Sequence, residues 1–429
     1  MASRTVRWAE GDEVPQGPPE GLTPPPHYDA GVTELDFDHI VIGRGLMGAA
    51  ASRHLTTTPV RVAVIGPGEP VDRSTHTGVF ASHYDEGRIT RILDPDPVWA
   101  LLAKRSLSRY REIEAASGVG FYHEVGHLIL APPPQAPDDY SARIQHVARE
   151  LDVVCDTLTD AELAERFGYL AFEPGSIGFH QPHTAGHVSA RSQVRAQTVA
   201  AQRQGATVIG QIARRARDHG DHVAVTLDNG DVVRGGTALV ATGGFSNAGE
   251  LLPRPLDITV CAWTIVLMEL APADLERLQR MASMVYRPHD EAHACYILPP
   301  IRYPDGKWYL KIGGRSDDRA LASLPELQEW FASTGDHTAA EYLIELLHTV
   351  VPGLRPAGVR TDSCVTTHTP TGHVYADRSD GGRLGVLVGG NGTAAKSADE
   401  LGRLGALMIR HDDWVYDIAP QQFTARFAG

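Results

Sequence analysis

From about residue 37 the chain alternates short apolar runs with glycine turns. "DHIVIGRGLMGAAASRHL" (38–55) opens on a β-branched run, His39 to Ile42, turns through glycines and continues as an Ala/Leu helix. A second apolar run, "VRVAVIG" (60–66), completes a strand–helix–strand unit. "PVWALLAKRSLSRYREIEAASG" (97–118) has helical periodicity, and "AGHVSARSQVRAQTVAAQRQGATVI" (185–209) reads as a helix leading into a strand. "HVAVTLDNGDVVRGGTALVATGG" (222–244) alternates on either side of Asn229-Gly230, the signature of a hairpin. Strand-like runs dominate from about 257 to 315: "ITVCAWTIVLMEL", "ACYILPPI" and "KWYLKIGG". Helical patterns return at "PELQEWFAS" and "AAEYLIELLHTVV", and "LGVLVGGNGTAAKSADELGRLGALMI" (384–409) is again strand, glycine turn and helix.

Strand–turn–helix signals thus lie at both ends and in the middle, with mixed elements between them. The expected architecture is α/β: a Rossmann-like nucleotide domain built from separated segments (37–110, 183–250 and 360–429), interleaved with a mixed-sheet α+β substrate domain (111–182 and 251–359). Residues 1–36 are rich in proline, "VPQGPPEGLTPPPHYD", and read as an extension.

Composition narrows the function. The chain of 429 residues is long enough for two or three domains. A formal charge of −14 with no dense Lys/Arg run argues against a nucleic-acid or anionic-membrane partner. No apolar stretch approaches a membrane span. The N-terminal residues have no apolar signal region, and the four cysteines (Cys155, Cys261, Cys295, Cys364) are scattered without metal-binding spacing. The expectation is a cytoplasmic protein with no structural metal and no disulfide framework.

Gly43, Gly45 and Gly48 form G-x-G-x-x-G between the first strand and its helix. The first glycine permits the tight turn, the second admits a pyrophosphate to the backbone, and the third lets helix pack on strand. An acid for the ribose usually lies at the end of the next strand. Here Gly66 holds that place and Glu69 comes late, so either Glu69 reaches back or the ribose is held otherwise. "ALVATGG", ending at Gly243-Gly244, is typical of two-dinucleotide-fold flavoproteins, where it returns to the FAD domain. The "VLVGGNG" turn, with Gly390 and Gly392, would bring further N–H groups toward a flavin.

Four stretches, "SHYDEGRITR" (82–91), "WYLKIGG" (308–314), "CVTTHTPTGHVYAD" (364–377) and "GNGTAAKS" (390–397), resemble one family. It is that of monomeric sarcosine oxidase and its N-methyl-amino-acid and cyclic-imino-acid oxidase relatives, in the D-amino-acid-oxidase-like superfamily. The resemblance covers most of residues 37–410. It implies a two-dinucleotide-fold flavoprotein that uses FAD and O2 to oxidise the C–N bond of a carboxylate-bearing secondary or cyclic amino acid to an imine, releasing hydrogen peroxide. It implies Arg91 and Lys396 as the substrate-carboxylate clamp, a task suited to a guanidinium fork. Arg88 would lie near the flavin, Lys311 would activate dioxygen, and Cys364 would carry the flavin through a thioether. Departures fall in the side-chain pocket: Tyr84 and Arg315 stand where histidines are expected, Thr366 replaces a tyrosine, and Tyr296 aligns loosely with another. The expected substrate is therefore a secondary or cyclic amino acid other than sarcosine, and the resemblance is compatible with a monomer. The rival readings are a flavin dehydrogenase with another electron acceptor, an NAD(P)-dependent reductase, and a non-catalytic flavin-binding subunit.

Overall fold

The computed structural model describes residues 36–314, 319–379, 382–411 and 413–428. The proline-rich segment 1–35 and Arg315 lie outside the described residues.

One eight-stranded sheet is organised around Asp36–Ile42, which runs parallel to Val62–Ile65 on one side and to Val232–Val240 on the other. Thr207–Ile209 extends it in parallel beyond Val62–Ile65, and Leu384–Val388 joins Val232–Val240 in parallel. The central strands are buried on both faces and accordingly read as unbroken apolar runs. Helix Leu46–Leu55 packs on this sheet and against helix Ala398–Arg410. A Cβ at Gly402 would lie 2.4 Å from that of Ala50, so glycine opposite an alanine-rich face sets the close crossing. The expected hairpin forms: Val223–Leu227 pairs antiparallel with Val232–Val240, and Gly230 turns with φ +91°.

A second eight-stranded sheet runs in the order Gly358–His368, Thr259–Glu269, Trp308–Gly314, Cys295–Arg302, Ser283–Tyr286, His127–Ala131, Ile177–Gln181, Asp156–Leu158. Helix His337–Val350 packs against it through Leu343, Leu346 and Leu347. The mixed α/β architecture read from the sequence is present, with two large sheets.

The Cys364 segment behaves differently from its polar appearance. Gly358–His368 is an 11-residue strand paired along its whole length with Thr259–Glu269. Its threonines and valines are β-branched and suit a pleated surface. Ser363, Val365 and Thr367 are buried, while Cys364, Thr366 and His368 alternate with them and are half-buried. The strand belongs to the second sheet, although its neighbours in sequence return to the first. A third, small sheet joins Arg88–Thr90, Gly186–Val188 and Tyr122–His123. No helix among the described residues is long and apolar enough to cross a membrane.

Candidate active site

A cavity of about 520 Å³ opens between the glycine loop and the Cys364 strand. At one side Gly43 turns with φ +107°, and a Cβ there would meet the Ala241 carbonyl oxygen at 2.4 Å. A Cβ at Gly48 would lie 1.9 Å from the Gly43 oxygen, whereas one at Gly45 would meet nothing within 4 Å. The first and third glycines are thus required by packing, and the second faces open space. Gly45 caps its helix without a side-chain bond, and the first turn carries no acid, so the leading N–H groups are free for an anion. Gly243, Gly390 and Gly392 line the same cavity.

Arg88, Arg91, Lys396, Tyr84, Tyr296, Thr366 and Cys364 also line it. Arg91 comes from the segment after the small-sheet strand and Lys396 from a 3₁₀ turn, Ala394–Ser397, that precedes the last helix rather than opening it. They meet at a residue the sequence reading passed over. Asp94 accepts from Lys396 Nζ at 2.6 Å and lies 3.5 Å from Arg91 Nη2. Lys396 is 1% exposed. Burial pushes its ammonium down to about 8, with Asp94 opposing and Arg91 adding to the shift. Arg91 Nε is buried with no hydrogen-bond partner among the described residues, an unused donor in the cavity wall.

A second pair has the same construction. Lys311, fully buried, donates to Asp85 and, at 2.8 Å, to the Gly87 carbonyl oxygen. Arg88 Nη1 pairs with the same Asp85 carboxylate, and its Nη2 reaches Ser82 O at 2.8 Å and Cys364 Sγ at 3.5 Å. Tyr303 Oη donates to Asp85 at 2.8 Å. Burial, reinforced by Arg88, pushes the Lys311 ammonium well below its ordinary range. Asp85 is the counter-charge that keeps both cations tolerable there. Lys311 itself is not part of the cavity lining. The spacing D-x-x-R-x-x-R-x-x-D over residues 85–94 carries both acids; it was visible, but nothing in it told a solvated acid from a buried one.

Tyr84 and Tyr296 are both pushed up to about 12, by burial first, so both phenols stay neutral. Tyr296 lies over Gly313, where a Cβ would come 2.4 Å from its hydroxyl oxygen, and Lys311 Nζ sits 5.6 Å from its ring centre. Thr366 Oγ1 bonds His368 Nε2 at 2.8 Å. Trp263, cross-strand from Cys364, and His83 are wall residues the sequence reading did not single out. His83 Nδ1 is buried without a hydrogen-bond partner among the described residues, and burial holds the imidazole neutral with a pKa of about 3. Glu69 is not in the lining; Arg191 grips both of its oxygens, at 2.6 and 2.7 Å.

The free helix N-terminus, the open space at Gly45 and the unused donors in the wall fit a dinucleotide with an aromatic head group. The residues from 38 to 408 match the pattern of the FAD dependent oxidoreductase family. The chain belongs to that family. This FAD-dependent oxidoreductase is 31% identical over 173 residues to a monomeric sarcosine oxidase of Streptomyces avermitilis, spanning 40% of this chain and 42% of that one. It is 23% identical over 151 residues to an N-methyl-L-tryptophan oxidase of Yersinia pestis, spanning 35% and 38%. The chain thus matches less than half the length of these curated relatives. Among solved structures, NikD, described as an unusual amino acid oxidase essential for nikkomycin biosynthesis, superposes with a TM-score of 0.73 at 21% identity, covering 92% of this chain and 98% of NikD. L-proline dehydrogenase from P. horikoshii gives 0.68 at 16% identity over 88% and 94% of the chains. Glycine oxidase from Geobacillus kaustophilus gives 0.66 at 19% over 92% and 100%. At these identities the likeness is one of fold.

Proposed function

We propose that the protein oxidises the C–N bond of a secondary or cyclic amino acid to an imine and returns the electrons to dioxygen as hydrogen peroxide. The observation that carries this reading is the meeting of Arg91 and Lys396, from opposite ends of the chain, in the wall of the cavity that also holds the glycine loop and Cys364. Bound FAD would supply the two-electron chemistry, taking a hydride equivalent from the C–H beside nitrogen and passing the pair, with two protons, to O2. Gly43, Gly45, Gly48, Gly243, Gly390 and Gly392 would hold it, and Cys364 would bond it covalently.

Arg91 and Lys396 dock the substrate carboxylate. Asp94 takes up one of the two positive charges, so the clamp carries a net +1 and one carboxylate neutralises it. Docking fixes the reacting C–H, an orientational contribution to rate. The half-buried walls, with neutral Tyr84, Tyr296 and His83, exclude water and favour the neutral amine that the reaction needs. The names of the relatives, several of them amino acid oxidases, support the substrate class.

Anaerobic titration with a panel of N-methylated and cyclic amino acids tests the proposal: at least one should bleach the flavin, and bleaching by none would overturn it. Acid precipitation tests the covalent link. The parent protein should pellet yellow and Cys364→Ser should release its flavin; colour in the parent's supernatant would refute attachment. One observation favours a second reading. Lys311 is already paired with Asp85 and withdrawn from the lining, which weakens its field on dioxygen. A dehydrogenase passing electrons to another acceptor would then fit. One peroxide per substrate oxidised in air separates oxidase from dehydrogenase.

A further inference from the structure

We infer that the ribose end of the dinucleotide is held by a cation, Arg44, in place of the customary acid. Gly66 stands where the second parallel strand ends, the position from which a carboxylate usually reaches the ribose hydroxyls. No acid fits there: a Cβ at Gly66 would lie 2.9 Å from Arg44 N and 3.1 Å from Arg44 Cβ. The next acid along the chain, Glu69, is gripped through both oxygens by Arg191 and stands outside the cavity lining.

Arg44 occupies the space instead. It is the variable residue between the first two glycines of the loop, it lines the cavity, and its guanidinium reaches the Gly66–Gly68 turn, with Nη2 3.4 Å from where a Gly68 Cβ would be. Of the other arginines near this turn and along the same wall, Arg88 shares Asp85 with Lys311, Arg91 shares Asp94 with Lys396, Arg191 pairs with Glu69 and Glu86, and Arg214, which also lines the cavity, is exposed to solvent. Arg44 has no carboxylate within ion-pair distance among the described residues. Burial lowers its pKa, as for a cation that lacks a counter-charge. A half-buried, unpaired guanidinium beside a helix N-terminus has the chemistry of a phosphate or sugar-oxygen ligand. The consequence concerns selectivity. An acid at this position repels a phosphate on the ribose 2′ oxygen, whereas an arginine accepts one.

The inference rests on the dinucleotide site alone and not on the oxidase reading; a chain that binds ADP through Arg44 yet oxidises no amino acid leaves it standing. The test is calorimetric titration of the full chain carrying Cys364→Ser, stripped of flavin and used as the parent, with ADP and with ADP carrying a 2′-phosphate. Arg44→Ala should weaken ADP by roughly 10- to 100-fold, the loss of one charge-assisted contact. Arg44→Lys should recover part of that, which separates a charge effect from misfolding of the loop. Glu69→Gln should leave ADP affinity within about twofold, and the 2′-phosphate form should bind the parent at least as tightly as ADP. Unchanged ADP affinity in Arg44→Ala, a loss in Glu69→Gln equal to that in Arg44→Ala, or rejection of the 2′-phosphate form would each overturn it.

Discussion

Replacing Asp85 by asparagine keeps the shape of the side chain and removes one charge from a buried cluster. Asp85 is 5% exposed and accepts from Lys311 Nζ, Arg88 Nη1, Tyr303 Oη and Glu86 N. Arg88 has other outlets, in Ser82 O and Gly87 O, and its side chain is 19% exposed. Among the described residues Lys311 has only Gly87 O and the Tyr296 ring, 5.6 Å away, and it is fully buried. The cost therefore falls on Lys311. Stripping one partner from a buried ion pair costs about 3–5 kcal/mol, and the asparagine NH2 would point a donor at two donors. Urea denaturation at pH 7 should show a loss in that range for Asp85→Asn. Lys311→Met should cost less, because Asp85 keeps Arg88. The double variant should cost less than the sum of the two by at least about 1.5 kcal/mol, since it removes the uncompensated charge together with its partner. A single-variant loss under about 1 kcal/mol, or strict additivity, would refute the view that this carboxylate balances a buried ammonium.

Three further outcomes follow from the same geometry. Lys396 has a folded pKa of about 8 against 10.5 when unfolded, so from pH 8 to 10.5 the unfolded chain holds the extra proton. Its contribution to stability should rise by about 3 kcal/mol over that window, a rise absent in Lys396→Met, while affinity for a carboxylate ligand falls as pH passes 8. Paired denaturation and binding curves with opposite slopes would check this; parallel slopes would contradict it. Arg91→Met should weaken substrate by roughly 100-fold in anaerobic titration, through loss of charge-assisted hydrogen bonds, and a change within twofold would remove Arg91 from the clamp. Gly313→Ala should push the Tyr296 ring toward the cavity, at about 1–3 kcal/mol of overpacking, and raise KM more than it lowers kcat; unchanged kinetics would take Tyr296 out of the pocket.

Much of this protein was legible in its sequence because the relevant information is local. Gly43, Gly45 and Gly48 sit between an apolar run and an alanine-rich helix, and backbone sterics alone assign them their turn. Asn229-Gly230 specifies its own hairpin. Arg91, Lys396 and Cys364 stood out by motif, and the fold brings all three to one cavity. What the tertiary structure decided is charge compensation. Asp85 and Asp94 look like solvated acids in sequence, and they acquire meaning only when Lys311 and Lys396 arrive from distant segments and water is excluded around them. Glu69 reads as a solvated loop acid or a ribose ligand in sequence, and only the fold shows Arg191 holding it outside the cavity lining while Arg44 stands within it. Backbone preferences act between neighbours along the chain. The energy of a buried ion depends on which groups share its low-dielectric surroundings, and those neighbours are chosen by folding.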